Sequence, residues 1–277
     1  MPYFQLPSVR VYYERLGSGP HLLLIHGSWG DARDWTRVME PLSRSYSVVR
    51  YDRRGHSRSE RTITQGSPQE DADDLAALLQ ELNISGVNVA ANSWGGIVAL
   101  HCVLKHPDLI TNLALHEPPL FDLVRNLSDH RAVYEYSSQR VQDAAHLIDS
   151  GNIEAGAQMF VDVAIGEPGT WDSFHPGVKR IFVRNAPTFL DEMMDADALT
   201  LTERDLASIR IPVLLTRGTT SPPIYAPIVE VLCAQIPSAH LEPIEGAGHL
   251  PQISHPQQYC RILAGFFNSR EGRVLND

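Results

Sequence analysis

Residues 87–96 read VNVAANSWGG, and this stretch predicts how the chain is organised. Val87–Ala91 has the composition of a buried strand, and Trp94–Lys105 has the pattern of a helix. Ser93 stands at the turn between them with small residues on both sides, as a strained strand–turn–helix requires. The pattern is that of a nucleophile elbow, G-x-S-x-G, with Ala91 in place of the first glycine. A serine that only caps a helix at a strand–helix turn is the alternative that this motif leaves open.

Short strand-like and helical segments alternate on both sides of this stretch. Strands are predicted at Val9–Leu16, His21–Ile25, Tyr46–Tyr51, Val87–Ala91, Leu113–Leu115, Val213–Thr216 and His240–Ile244. Helices are predicted at Asp34–Ser43, from Ser67 through Leu82, and at Trp94–Lys105, Ala226–Gln235 and Pro256–Phe267. Alternation at this spacing is typical of crossover connections, so the predicted fold class is α/β, with a mostly parallel central sheet flanked by helices.

The alternation is interrupted after the pair Pro118–Pro119. From there to about Ile209 the pattern is helical and contains no convincing strand. A mid-chain helical segment of this length is too long for an ordinary connection, and we expect it to form a lid over a site. The predicted division is therefore a first core part at residues 1–117, a helical lid at 118–209 and a second core part at 210–277.

Composition limits the class of protein. The chain has 277 residues, is 43% hydrophobic and carries a formal charge of -10, so a buried core is expected and nucleic-acid binding is not. No apolar run is long enough to span a membrane, and the first residues lack the pattern of a signal peptide. Three scattered cysteines form neither a disulfide framework nor a metal site. We expect a cytoplasmic monomer or homodimer with no membrane association.

Three further segments accompany the serine motif. Leu22–Gly30 reads LLLIHGSWG, an apolar strand ending in His-Gly, and Tyr51–Ser59 reads YDRRGHSRS. Ile244–Pro251 reads IEGAGHLP and places His249 in a glycine-rich loop after a late strand. With these segments in this order, the sequence resembles the α/β-hydrolase fold family over essentially its full length.

The resemblance implies a serine nucleophile, a histidine base and an acid that orients the histidine. Ser93 matches the nucleophile and His249 matches the base. The backbone N–H groups of Ser28 and Trp94 match the oxyanion hole of the family. For His26 and the charged residues of the YDRRGHSRS segment we expect a role in bracing the loops.

The acid is where the chain departs from the family pattern. The family's G-x-x-D position falls in the segment RGTTSPP after Val213–Thr216, and no carboxylate follows until Glu230. A second position known in this fold is the end of the strand after the nucleophile helix, where LALHEPP carries Glu117. The acid stands there in haloalkane dehalogenases and in zearalenone-lactonase-like hydrolases, so the resemblance implies Glu117. A carboxylate at the rim of the lid is the alternative reading of this residue.

Ser93 favours acyl transfer, since dehalogenases attack carbon with an aspartate. We therefore expect hydrolysis of a carboxylic ester or lactone of a hydrophobic small molecule through an acyl-enzyme, with no metal and no organic cofactor. Aromatic residues of the loops and the lid are the candidates for lining the substrate pocket: Trp29, Phe121, Phe160, Trp171, Phe182 and Phe189.

Other functions remain open at this stage. The same triad cleaves C–C bonds in β-diketones or acts as a perhydrolase in other proteins of the fold, and some members are ligand sensors with slow turnover. The missing aspartate weakly favours a sensor. Assays on ester and dione panels separate the enzymatic alternatives, and a burst of product without further turnover identifies a sensor.

Overall fold

The computed structural model describes residues 3–62, 66–166, 168–194 and 201–269, and its centre is an eight-stranded sheet. The strands are β1 (Tyr3–Gln5), β2 (Arg10–Leu16), β3 (His21–Ile25), β4 (Ser47–Tyr51), β5 (Val87–Asn92), β6 (Ile110–His116), β7 (Val213–Gly218) and β8 (Ala239–Ile244). Their order in the sheet is β1-β2-β4-β3-β5-β6-β7-β8. Only the β1–β2 and β2–β4 pairs are antiparallel, and the other described pairs are parallel. This is the mostly parallel sheet that the sequence predicts.

Helices cover both faces of the sheet. They are α1 (Thr36–Ser43), α2 (Pro68–Glu81), α3 (Trp94–Lys105), α4 (Arg131–Asp149), α5 (Ile153–Phe160), α6 (Thr170–Ser173), α7 (Pro176–Met194), α8 (Glu203–Ser208), α9 (Tyr225–Gln235), α10 (Pro251–Ser254) and α11 (Pro256–Asn268). Alternate residues of β3 point to opposite faces, as strand geometry requires. Leu23 and Ile25 pack in the cluster with α2, α3 and α9, whereas Leu22 and Leu24 pack in the cluster with α1 and α11.

The start of α2 shows how a local sequence signal becomes structure. Ser67 precedes the helix, and its hydroxyl accepts a hydrogen bond from the backbone N–H of Glu70 at 3.1 Å. The Glu70 carboxylate accepts from Arg54 Nη1 at 3.1 Å. Of the capping-box pattern Ser67-x-x-Glu70, the serine half therefore forms, and the glutamate joins an ion pair with the loop after β4.

The described residues between β6 and β7 form helices and 3₁₀ turns, with one π-helical turn at Val161–Ile165 after α5. They build a third hydrophobic cluster, separate from the two that cover the sheet, and Trp29 from the loop after β3 belongs to it. The boundaries 118 and 209, and the assignment of this segment as a lid, stay predictions. Parts of the predicted ranges, at 1–2, 63–65, 167, 195–200 and 270–277, lie outside the described residues.

Over the described part of the chain, the helices are too short or too polar to cross a lipid bilayer.

Candidate active site

The turn between β5 and α3 holds Ser93 in a strained conformation. Its φ is 54° and its ψ is -126°, a backbone conformation that residues other than glycine rarely adopt. The backbone N–H of Ser93 donates to the carbonyl of His116 at 2.9 Å, which ties the turn to the end of β6. A Cβ at Gly95 would lie 2.6 Å from the carbonyl oxygen of His26, so only glycine fits there. Gly95 thus permits the close approach of the start of α3 to the end of β3.

Glu117 follows β6 directly and is also strained, with a φ of 47°. Its side chain is fully buried and makes two short hydrogen bonds. Oε1 accepts from the backbone N–H of Gly218 at 2.8 Å, and Oε2 lies 2.7 Å from Nδ1 of His249. Because β6 and β7 are neighbouring parallel strands, a carboxylate from the end of β6 reaches the end of β7. The chain thus supplies a carboxylate at the edge where the segment RGTTSPP has none.

The bond to Glu117 fixes the tautomer of His249. A carboxylate is only an acceptor, so Nδ1 of His249 carries the proton and Nε2 is left as the basic nitrogen. Burial lowers the pKa of His249, although the hydrogen bond and charge of Glu117 raise it. The backbone carbonyl of His249 accepts from Nδ2 of Asn92 at 3.0 Å, which holds the loop beside the elbow. Sequence reasoning missed Asn92, whose position directly before Ser93 was the available signal.

A second histidine, His116, lies on the other side of Glu117. Its Nε2 is 3.4 Å from Oε2 of Glu117, and its Nδ1 is 2.9 Å from the hydroxyl of Thr216. Burial raises the pKa of Glu117, but the charges and hydrogen bonds of His116 and His249 outweigh burial and hold the pKa below its usual range. The carboxyl is therefore ionised.

His116, Glu117 and His249 are also the only side chains among the described residues that are grouped like metal ligands. Their donor atoms lie within 4.8 Å of one another. The 2.7 Å separation of His249 Nδ1 and Glu117 Oε2 is that of a hydrogen bond to a carboxylate. Two ligands of one tetrahedral ion with bonds of about 2.0 Å would be roughly 3.3 Å apart. The geometry therefore fits a hydrogen-bonded pair better than a metal centre.

Tyr225, at the start of α9, lies flat against the imidazole of His249. The ring centroids are 4.3 Å apart and the planes differ by 12°. The phenol hydroxyl donates to the carbonyl of Ala164 at 3.0 Å and lies 3.4 Å from Nε2 of His249. Tyr225 therefore connects the histidine to the helical segment between β6 and β7. Nothing in the sequence indicated this contact, because the three residues are far apart in the chain.

Ser93 and Tyr225 line one cavity of about 180 Å³, together with both residues predicted for the oxyanion hole. Trp94 is the first residue of α3, so its N–H has no acceptor inside the helix. Ser28 lies in the loop after β3 and faces the same space. The rest of the wall is mainly apolar: Pro119, Phe121, Asp122, Tyr134, Ser138, Val141, Gln142, Phe160, Ala164, Phe189 and Met193.

The aromatic residues predicted to line the pocket divide into two groups. Phe121, Phe160 and Phe189 do line the cavity. The other three, Trp29, Trp171 and Phe182, are not part of its wall; they pack in the third hydrophobic cluster, to which Phe160 and Phe189 also belong. Trp29, for example, is fully buried and stacks on Phe160 with centroids 4.7 Å apart. These aromatic side chains stabilise the helical segment from inside, and the sequence pattern does not distinguish them from wall residues.

Comparison with known proteins places the chain in a family. The family model described as the alpha/beta hydrolase fold matches residues 20–256. The methyl ester esterase for pimeloyl-[acyl-carrier protein] from Chromobacterium violaceum is 28% identical over 92% of this chain and 97% of its own length. The Bacillus subtilis protein YraK, an uncharacterized hydrolase, is 36% identical, but the match spans 43% of this chain and 45% of that protein.

The same architecture is found in solved structures. The enol-lactonase from Burkholderia xenovorans LB400 aligns with a TM-score of 0.76 and 20% identity. The alignment covers 97% of this chain and 100% of the enol-lactonase chain. The family model covers strands β3 to β8, the serine turn and the histidine loop together. The chain therefore belongs to the alpha/beta hydrolase fold family of enzymes.

Proposed function

We propose that the protein hydrolyses carboxylic esters or lactones of small apolar molecules, with Ser93 as nucleophile, His249 as base and Glu117 as the acid. The observation that carries the proposal is the 2.7 Å bond from Nδ1 of His249 to Glu117. It leaves Nε2 as the basic nitrogen of His249, 3.4 Å from the hydroxyl of Tyr225, and Tyr225 lines the same cavity as the strained Ser93. The methyl ester esterase relative supports ester cleavage as the reaction type.

In the proposed reaction, Nε2 of His249 takes the proton of Ser93 as Oγ attacks the substrate carbonyl. The N–H groups of Ser28 and Trp94 bind the developing oxyanion, and each such donor contributes about 3 kcal/mol to the transition state. The alcohol leaves with the proton from His249, and the acyl group stays on Ser93. Water activated by His249 then releases the acid. Glu117 stabilises the imidazolium throughout, because its carboxyl is ionised beside Nδ1.

The wall of the cavity supports an apolar and short substrate. Phe121, Phe160, Phe189 and Met193 provide most of its apolar surface. A volume of about 180 Å³ is small beside the roughly 300–1,000 Å³ of common ligand pockets. We assign the helical segment at 118–209 as the lid that supplies this wall.

A p-nitrophenyl ester series is the experiment for this proposal. We expect kcat/KM to be highest for acetate to butyrate and to fall at least about tenfold for decanoate, because a long chain exceeds the cavity. Aliphatic lactones and β-diketones are assayed in parallel at equal concentration. Turnover of diketones without turnover of esters or lactones would contradict ester hydrolysis, and a single burst without turnover would indicate a sensor.

The pH profile provides a second prediction. The base must be neutral, so kcat/KM should fall as the pH drops through the pKa of His249. We expect the midpoint below the ordinary value of 6.5, because burial lowers this pKa more than Glu117 raises it, while His116 adds to the lowering. Tyr225, stacked on the ring, stays neutral because burial holds its pKa well above the usual value. A midpoint above 7 in the initial-rate profile would contradict the lowered pKa of His249.

A further inference from the structure

The loop Ser28–Gly30, here named the oxyanion loop, is bound to helix α7 at each of its residues. Trp29 has a φ of 66°, a strained value for a residue other than glycine. Such a conformation persists only where its surroundings fix it. The indole packs against Phe160 and Phe189 of the helical segment, with centroid distances of 4.7 and 5.1 Å. The loop therefore depends on the helices that follow it far later in the chain.

Asn185 of α7 fixes the second half of this loop. Its Nδ2 donates to the carbonyls of Trp29 and Gly30, each at 2.9 Å. Its Oδ1 accepts from the backbone N–H of Ser57 at 2.8 Å, so the amide cannot be turned over without losing these bonds. The side chain is buried, with 1% of its surface exposed. One amide thus holds two consecutive peptide units of the loop.

Glu192, two turns further along α7, fixes the first half. It is buried and accepts from the hydroxyl of Ser28 and from Nη2 of Arg53, the latter at 2.7 Å. Burial raises the pKa of the Glu192 carboxyl, and the Arg53 guanidinium opposes the shift. Arg53 is in turn held by Asp71 of α2 at 2.6 Å. The ion pairs Asp71–Arg53 and Arg53–Glu192 therefore connect α2 to α7 beside the oxyanion loop.

The peptide unit between Gly27 and Ser28 connects these ion pairs to the proposed chemistry. Nη2 of Arg53, the atom bound to Glu192, also donates to the carbonyl of Gly27 at 3.3 Å. Nδ1 of His26 donates to the same carbonyl at 2.8 Å, since its Nε2 accepts from the N–H of Arg53. In a planar trans peptide the N–H points opposite to the C=O. Holding the Gly27 carbonyl therefore sets the direction of the Ser28 N–H.

We propose that Asn185 and Glu192 are positioning residues that hold the Ser28 N–H in place for the oxyanion. This inference rests on the proposed function. Helix α7 then has a second role beyond covering the cavity, because the oxyanion hole is complete only when α7 packs against the oxyanion loop. Neither residue lines the cavity, so both act on the transition state through the loop.

The test compares Asn185→Leu and Glu192→Leu with the wild type on p-nitrophenyl acetate. We expect kcat to fall about 10- to 100-fold with KM changed less than about threefold, because a misplaced donor weakens the transition state more than the bound ester. Inhibition by phenylboronic acid, which forms a tetrahedral anion on the serine, should weaken by a similar factor. Glu192→Gln keeps an oxygen acceptor but loses the charge that binds Arg53, so its kcat should lie about three- to tenfold below the wild type and above that of Glu192→Leu.

Asp191→Asn is the matched control. Asp191 is the neighbour of Glu192 on α7 but pairs with Arg61 at 3.1 Å, away from the oxyanion loop. Its kcat and its boronate inhibition should match the wild type. Thermal unfolding of each variant separates stability from catalysis, and rates are divided by active sites titrated with a fluorophosphonate.

Variants with lower melting temperature but wild-type kcat and boronate affinity per titrated site would overturn the inference and leave a structural role alone. If neither leucine variant folds, Glu192→Gln decides: equality with Asp191→Asn in both readouts overturns the inference. A wild type that neither hydrolyses esters nor binds the boronate refutes the proposed function itself. A wild type that does both, with variants unchanged, refutes only the positioning role.

Discussion

Replacing Ser93 with alanine is expected to lower kcat for p-nitrophenyl acetate by about 10⁴- to 10⁶-fold, because the acyl-enzyme can no longer form. The fold should change little, since the backbone bond from Ser93 to His116 does not use the hydroxyl. Steady-state kinetics of the purified variant give the first value, and thermal unfolding gives the second.

Ser221→Ala is the control for this variant. Ser221 lies in the segment after β7, and its buried hydroxyl has no hydrogen-bond partner among the described residues. Its removal should leave kcat within about twofold of the wild type. Turnover of Ser93→Ala within about tenfold of the wild type would exclude the serine mechanism.

Glu117→Gln is expected to lower kcat by about 10²- to 10⁴-fold. The amide keeps the shape but removes the charge that stabilises the imidazolium, and it can present an N–H to Nδ1 and select the wrong tautomer. The acid limb of the pH profile should also move to lower pH, because Glu117 raises the pKa of His249. Stopped-flow rates across pH 4–8 measure both effects.

Glu230→Gln is the control here, since Glu230 is the first carboxylate after β7 in the chain. It lies on α9, is largely exposed and pairs with Arg217 at 3.6 Å. We expect wild-type kinetics for it. If Glu117→Gln keeps more than about a third of the wild-type rate, Glu117 is not the acid of the triad.

Local sequence signals predicted most of the sheet, and the differences have physical reasons. The strand predicted at Leu113–Leu115 is β6 and runs from Ile110 to His116. The polar Asn112 interrupts the apolar run of this strand, and its side chain donates to that of Asn88 at 2.7 Å inside the sheet. Strand β1, at Tyr3–Gln5, is too short for any periodicity to reveal it.

The helix predicted at Asp34–Ser43 begins differently. Asp31 caps a 3₁₀ turn at Ala32–Trp35 by accepting from the N–H of Arg33, and α1 starts only at Thr36. A short polar residue favours such a cap, and the sequence pattern alone does not distinguish a 3₁₀ turn from the first turn of a helix.

The candidate site follows the same division between local and distant information. Ser93 and His249 stand in short motifs, so the sequence alone marked them. Other residues reach the site only through contacts between segments that are distant in the chain, and no local pattern indicates them. These residues are Tyr225, Asn185 and Glu192. The orientation of Trp29 likewise depends on its strained backbone and on helices more than a hundred residues later. Such positions become visible only when the topology is known.

The most direct measurement is mass-spectrometric mapping of the residue that reacts with a fluorophosphonate. The protein is treated near pH 7 and digested, and its peptides are sequenced, with a characterised serine esterase treated in the same way as a positive control. We expect one phosphonylated residue, Ser93, and parallel loss of esterase activity. A modified residue other than Ser93, or no adduct while the control enzyme is labelled, would contradict the serine mechanism.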